Sequence, residues 1–475
     1  MKKLLKKTNE KTSSRPPIVV VLGHVDHGKT TLLDAIRKTD VATGEHGGIT
    51  QSIGAYQIKT PSTITFIDTP GHEAFSKMRT RGASIADIAI LVVAANDSVM
   101  PQTVESIKII KETKIPFIVV INKIDLPEAN FDKVVKDLLR HEVMLETYGG
   151  DVPFIKVSAK KGEGIDKLLD LICLLADMSG VYGNDNGNLE AYVIESRLDK
   201  TKGALATAIV KNGVLKIADE IYIDGRQSKI RALTDYNNEQ IKEAHPGDPV
   251  EILGLTEVPQ VGSLISHLQD QVLQSLSIPS VLNRSDQAGG QSLCLILKTD
   301  SVGTLEAIVA KIPPNVNLIS SSVGEISEAD ILLARSTKAI VLGFNVKISS
   351  QAQKLAEVEK VLARTYKIIY ELLDELSDAA SGMLEPIVTE EILGKGQIVA
   401  EFPFEKSKIV GTRVTEGRIA RGDLVKIGEL KSKIKSVRVG KDEINKIDAG
   451  KECGILLDPQ IDFKIGDDII SYRLI

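Results

Sequence analysis

This chain of 475 residues has no tryptophan, three cysteines and only 4% aromatic residues. Cys173, Cys294 and Cys453 lie far apart, with no Cys-x-x-Cys among them, which supports neither a disulfide framework nor a zinc site. A reducing, cytoplasmic setting is the expectation, bacterial rather than an organellar matrix. No apolar run approaches the roughly 20 residues that cross a bilayer, so no membrane partner is expected. No apolar stretch follows the lysine-rich start, which excludes a secretory signal peptide. Composition is that of a globular protein, 43% hydrophobic and 26% charged, and the length suits about three or four domains.

Excess charge of one sign is also missing, since the net charge is −5. That average hides local bias. Residues 1–16 carry six Lys/Arg and one Glu, a basic tail that reads either as a solvated arm or as an RNA contact. A transit peptide would be richer in arginine. Residues 405–441 hold eleven Lys/Arg against four Asp/Glu.

What is present in strength is a phosphate-binding loop. Gly23-His24-Val25-Asp26-His27-Gly28-Lys29-Thr30 follows the apolar run 18–22 and opens a helical segment. Strand, Gly-x-x-x-x-Gly-Lys-Thr, helix gathers backbone N–H groups onto phosphate oxygens at a helix N-terminus. Lys29 can reach the β- and γ-phosphates, and the Thr30 hydroxyl can ligate Mg²⁺. His24 and His27 read as loop structure rather than a metal site.

Three further motifs follow in order. Asp68-Thr69-Pro70-Gly71-His72 ends the run 63–67; its carboxylate can hold the Mg²⁺ shell and its Gly71 N–H can approach the γ-phosphate. Asn122-Lys123-Ile124-Asp125 ends the run 117–121. Asp125 can accept both N1–H and N2–H of guanine, a donor pair adenine lacks, while Asn122 braces the loop. Ser158-Ala159-Lys160 suits a backbone contact to guanine O6. The expected ligands are GTP or GDP with Mg²⁺.

Strand and helix patterns alternate over 17–180, with strands near 18–22, 63–67, 88–94, 116–121 and 153–157, predicting a doubly wound P-loop GTPase domain. Polar residues 183–188 read as a linker. A period of two over 188–275 predicts a β-barrel, and 280–290 is a second linker candidate. Residues 291–366 alternate again, predicting an α/β/α sandwich. Ile368, Ile369, Leu372, Leu373 and Leu376 recur at helical spacing in 367–383, a connecting helix about 25 Å long. Gly382 is its expected stop, and Pro386 forbids continuation. Short strands over 385–475 predict a C-terminal β-barrel.

This order resembles bacterial translation initiation factor 2 over residues 16–475. Gly23–Thr30 with Asp68–His72 is similar to translational GTPases generally. Gly47-Gly48-Ile49-Thr50-Gln51, then Ile53-Gly54-Ala55-Tyr56, resembles that family's first switch. Val323-Gly324-Glu325-Ile326-Ser327-Glu328-Ala329-Asp330 and Gly343-Phe344-Asn345-Val346 resemble its sandwich, and Glu452-Cys453-Gly454-Ile455 its tRNA-binding barrel. The family's long N-terminal extension would be reduced here to about sixteen residues. Ser52 replaces a common His, Gly411-Thr412-Arg413 stands where relatives often carry Cys, and Val439-Gly440-Lys441 lacks bulkier residues. A looser or differently built formyl-methionyl pocket is expected.

The resemblance implies a ribosome-stimulated GTPase that helps initiator fMet-tRNA onto the small subunit and joins the subunits. Its partners would be the 30S and 50S subunits and that tRNA, with room for other initiation factors, and the chain would act as a monomer. Thr50 would join Thr30 and Asp68 at Mg²⁺, His72 would orient the attacking water, and Val25 with Ile49 would gate it. Thr412, Lys441, Glu452, Cys453 and Gly454 would form the tRNA pocket. The alternative, a tRNA-delivering elongation-type GTPase, would carry two successive barrels. The GTPase subunit of sulfate adenylylation would lack the sandwich and the basic barrel. A module that binds without hydrolysing is opposed by Lys29, Thr50 and His72 together.

Overall fold

The computed structural model describes residues 13–38, 53–59, 62–268, 293–380, 390–404, 407–428, 430–440, 442–461 and 463–474. It divides into two compact units, Met1–Met383 and Leu384–Ile475.

Apolar runs free of polar alternation form strands covered on both faces. Ile18–Gly23 and Ile88–Ala94 are buried along their whole length. They lie in a six-stranded sheet ordered Gly54–Lys59, Thr63–Asp68, Ile18–Gly23, Ile88–Ala94, Phe117–Asn122, Phe154–Lys156. Only the first pairing is antiparallel. The helices on its faces enclose two apolar clusters. All four sequence motifs follow the carboxyl ends of strands in this sheet.

The tail expectation needs correction at its end. Ser13–Ser14 pairs with Tyr182–Gly183, and the Arg15 guanidinium forks onto Asp87 at 2.7 and 2.8 Å. Asp87 also accepts the Ile18 N–H at 2.9 Å and faces Lys211 at 3.5 Å. Residues 13–16 thus belong to the body, and 1–12 lie outside the described residues. The polar stretch 183–188 is likewise no free linker: Gly183 is buried, and the Asn184 carbonyl accepts from Gly187 and Gly213.

The first barrel is built on Glu190–Asp199, Gly203–Asn212 and Pro249–Leu255. A bridge from Tyr222 to Ser266 and the bond from Arg231 N–H to Leu253 C=O carry the ring through the hairpin Glu220–Ile223/Arg226–Lys229. Its Pro246–Asp248 turn docks on the GTPase domain: Thr65 Oγ1 donates to Gly247 C=O at 2.6 Å, and Gln57 Nε2 to Asp248 Oδ1 at 2.9 Å. Candidate linker 280–290 lies outside the described residues.

The sandwich is a four-stranded parallel sheet, ordered Val316–Val323, Leu293–Thr299, Ile340–Phe344, Ala363–Tyr366. Helices Val302–Lys311 and Ile369–Ala380 cover one face, and Glu328–Thr337 and Ser350–Glu359 the other. The connecting helix is therefore corrected in two respects. It begins at Ile369 rather than 367, and Ile369, Leu372 and Leu376 bury it in the sandwich core. Residues 381–389, with the expected stop at Gly382 and the break at Pro386, lie outside the described residues.

In the second unit six strands close a ring: Glu390–Phe404, Asp468–Leu474, Leu424–Ile427, Leu430–Val439, Glu452–Asp458, Ser407–Ala420, and back to the first. Closure removes the sheet edges that would otherwise invite further pairing. Ile398, Val410, Val437, Ile455 and Ile469 fill the interior.

Candidate functional site

The phosphate loop, residues 24–28, is set by two glycines that no other residue could replace. At Gly23 φ is +147°, and a Cβ there would stand 2.4 Å from the Val92 carbonyl oxygen. Gly28 has φ +83°, and a Cβ would meet Asn122 Nδ2 at 2.5 Å. Helix Lys29–Arg37 starts directly after it. Lys29 is buried and donates from Nζ to the His24 carbonyl at 2.6 Å. Burial pulls its pKa down to about 8, against a partial counter-effect of Asp68. Among the described residues that desolvated ammonium bonds only the His24 carbonyl, a partner a phosphate oxygen can replace. His27 is fully buried and pushed down to about 4 by burial, so it is neutral; its ring meets His24 edge-on at 5.1 Å.

Asp68 ends its strand beside Lys29, and Thr69 Oγ1 fixes the chain to the Val21 carbonyl at 2.8 Å. A Cβ on Gly71 would collide with Lys29 Nζ at 2.4 Å and crowd Val25 at 3.2 Å. Gly71 backbone therefore borders the space in front of Lys29. His72 caps the turn Glu73–Phe75: its Nδ1 accepts the Ala74 N–H at 2.9 Å. That acceptor role puts the ring proton on Nε2, which is buried and has no hydrogen-bond partner among the described residues. Burial holds the imidazole below its ordinary pKa. Its ring lies between Phe75 and Tyr370, at 5.9 and 4.1 Å between centroids. Tyr370 comes from the sandwich helix Ile369–Ala380.

Asn122 joins three loops. Its Nδ2 donates to the His27 carbonyl at 3.0 Å, and its Oδ1 accepts the Ala159 N–H at 3.0 Å. Lys123 takes a left-handed φ of +61°, and Ile124 packs against the core. Asp125 accepts from Ser158 Oγ at 2.7 Å; that bond first, then Lys161 and Lys160, keeps its carboxyl below the usual range. Ser158 is fully buried and Lys160 exposed. The four motifs surround one space: loop carbonyls and Lys29 at one end, Asp125 and the Ala159 backbone at the other. Thr30 lies in the helix's first turn, and Thr50 and Ile49 of the expected switch fall outside the described residues. A hydroxyl and a carboxylate from Thr30 and Asp68 are the hard oxygen donors that Mg²⁺ takes.

Three participants escape the motifs. Gln102 Oε1 accepts the Val25 N–H at 2.8 Å. Arg79, wholly buried, donates to the carbonyls of Pro70, Gly71 and His72 and to Glu105. No short motif marks them, because Gln102 and Arg79 hold backbone groups of other loops and Glu105 holds Arg79.

The expected tRNA pocket is changed more. Thr412 and Cys453 are register partners whose side chains are 0% and 6% exposed, facing the barrel interior; burial pushes the Cys453 thiol up to about 11. Strand alternation makes them wall, not lining. Gly411 and Gly454 pair on the outer face, where Cβ atoms would touch Ala400, Phe402 and Ile409. Glu452 is exposed and takes an ion pair from Arg413 at 2.5 Å. Lys441 lies outside the described residues. The basic bias survives in part: Lys433 and Lys435 alternate outward along Leu430–Val439 with Lys431, while Lys435, Arg421 and Lys408 pair with Asp458, Glu443 and Glu401.

Known proteins sort this architecture. A family model described as Elongation factor Tu GTP binding domain matches residues 14–177, Elongation factor G domain 2 matches 188–267, and Translation-initiation factor 2 matches 269–377. Translation initiation factor IF-2 of Thermosipho africanus is 42% identical across 98% of this chain and 71% of its own length. The same factor of Caulobacter sp. (strain K31) is 42% identical across 97% of this chain and 48% of its own. The chain spans about half the length of several such relatives. GDP-bound aIF5B from Aeropyrum pernix aligns over 97% of this chain and 92% of that one, at 27% identity and a TM-score of 0.48. Among the described residues no helix is long and apolar enough to cross a membrane.

Proposed function

This chain belongs to the translation initiation factor IF-2 family, and from that premise we propose that it is a GTPase of translation initiation. It binds GTP, helps initiator fMet-tRNA onto the small ribosomal subunit, promotes joining of the 30S and 50S subunits, and hydrolyses GTP on the assembled ribosome. It acts in the cytoplasm as a monomer. The observation that carries this is the convergence of Lys29, Asp68–His72, Asn122–Asp125 and Ser158–Lys160 on one space at the sheet's carboxyl edge. An elongation-type role is disfavoured by the initiation-factor match over 269–377, where that architecture would have its second barrel.

On nucleotide entry Lys29 exchanges the His24 carbonyl for β- and γ-phosphate oxygens, gaining a charge-assisted bond. Asp125 reads the guanine edge while Asn122 holds its loop to the phosphate loop. A Mg²⁺ held by Thr30, Thr50 and, through its water shell, Asp68 would neutralise phosphate charge as the γ-phosphoryl leaves. Gly71 N–H reports the γ-phosphate, so GTP and GDP set the Asp68–His72 segment differently. His72 orients the attacking water. With Nδ1 taken by Ala74, Nε2 carries the proton and donates to the water oxygen; proton uptake by His72 would require that bond to break. The ring must also leave Tyr370, which makes the sandwich domain a route for ribosomal control. In the last barrel the outward lysines hold tRNA phosphates, with salt-sensitive affinity. The surface around half-buried Gly454 and exposed Phe402 takes the formyl-methionyl end.

His72→Ala tests the catalytic part. GTP binding should stay within a few-fold, while hydrolysis on 70S ribosomes falls about a hundredfold or more, a loss of about 3 kcal/mol. Equal turnover by variant and parent would refute the role of His72.

A further inference from the structure

Arg79 is the largest fully buried side chain among the described residues, and it is a cation. A guanidinium stripped of water needs strong compensation. It receives that from Glu105 at 2.5 Å and from three consecutive carbonyls, Pro70 at 3.1 Å, Gly71 at 3.2 Å and His72 at 2.5 Å. Three peptide planes in a row are thereby turned towards one group. In a trans peptide the C=O and N–H point in opposite directions. Gripping the Pro70 carbonyl thus aims the Gly71 N–H away from Arg79, and Gly71 is the residue that borders Lys29 Nζ.

Glu105 sits one turn from Gln102 on helix Pro101–Thr113. Gln102 holds the phosphate loop through the Val25 N–H at 2.8 Å. One helix therefore grips both loops that face the γ-phosphate, one through an amide and the other through an ion pair.

We propose that Arg79 and Glu105 are positioning residues for the γ-phosphate: the pair presets the Gly71 N–H, and helix Pro101–Thr113 keeps that segment in register with the phosphate loop. This rests on the guanine-nucleotide reading of the site. Arg79 is wholly buried behind the Pro70–His72 backbone and acts through it, so its effect must fall on the γ-phosphate alone. GDP, which lacks that group, should not sense it.

The test is titration of the full chain with fluorescent GDP and with a fluorescent non-hydrolysable GTP analogue, in Mg²⁺. Glu105→Gln keeps an acceptor but removes the charge, Arg79→Lys keeps the charge but loses the fork, and Arg79→Ala removes both. Charge-assisted bonds of this kind lead to an expected loss of about tenfold in GTP-analogue affinity for Glu105→Gln, with GDP affinity changed by less than about twofold. Arg79→Lys should fall between the parent and Arg79→Ala. Equal weakening of both nucleotides, or no change in either, overturns the proposal. Should the Arg79 variants fail to fold, Glu105→Gln decides alone, since that side chain is 27% exposed and removes no volume. A parent that binds neither nucleotide would refute the site itself, whereas a parent that binds both with unaltered selectivity in Glu105→Gln refutes only the positioning role.

Discussion

The carboxylate proposed to read guanine must be ionised and aimed before the base arrives. Asp125 meets both conditions through Ser158, whose Oγ donates to it at 2.7 Å while accepting the Lys161 N–H at 3.2 Å. Asp125→Asn presents an amide donor where guanine also donates, so base preference should move to xanthine. The expected loss is about a hundredfold in GTP affinity, read by competition between GTP and XTP; unchanged GTP preference would remove Asp125 from the base site. At this scale the sequence was most legible in placement: Asp68 and Asn122 end their strands, and Lys29 and Asp125 lie in the segments that follow strand ends. Arg79 was illegible because its acceptors are backbone carbonyls seven to nine residues upstream, which leave no trace in side-chain pattern. Thr412 and Cys453 were read from likeness of motif, and only strand alternation reveals that both face inward.

Among elements, strands covered on both faces were read almost to the residue, since an unbroken run such as Ile88–Ala94 has few other uses. Gly54–Lys59 was missed because Gly-Ala-Tyr-Gln-Ile-Lys alternates weakly and lies at a sheet edge. Asp468–Leu474, inside the stretch read as short strands, closes the second barrel between two partners. Junctions between elements leave no periodic signal at all. Glu195, on strand Glu190–Asp199, accepts from Ser196 N–H at 2.9 Å and from Gly303 N–H at 3.3 Å, at the start of helix Val302–Lys311. Burial pushes its carboxyl up from 4.5 to about 7. A raised folded-state pKa gives stability that is complete below pH 4.5 and is lost as pH rises through about 7, on the order of 3 kcal/mol. Glu195→Gln keeps the acceptor oxygen and removes the titration. Between about pH 5 and pH 8 its urea midpoint should therefore gain on the parent's. A constant gap would show that this junction does not titrate there.

Over the whole molecule, the GTPase domain, first barrel and sandwich form one unit because their contacts are specific rather than merely adjacent. Thr65 and Gln57 hold the barrel turn, Arg81 pairs with Glu306 at 2.5 Å, and Lys311 pairs with Glu73 at 2.8 Å beside His72. The sandwich thus touches the segment proposed to respond to the γ-phosphate. That is a physical route by which a large partner bound elsewhere can govern hydrolysis. The most direct measurement is co-sedimentation of the full chain with 30S and 70S particles in the presence of a non-hydrolysable GTP analogue, GDP, or the matching ATP analogue. The expected result is strong association with the GTP analogue, weaker association with GDP, and no nucleotide-dependent gain with the ATP analogue. Association indifferent to the nucleotide, or absent with the GTP analogue, would contradict a guanine-switched role on the ribosome.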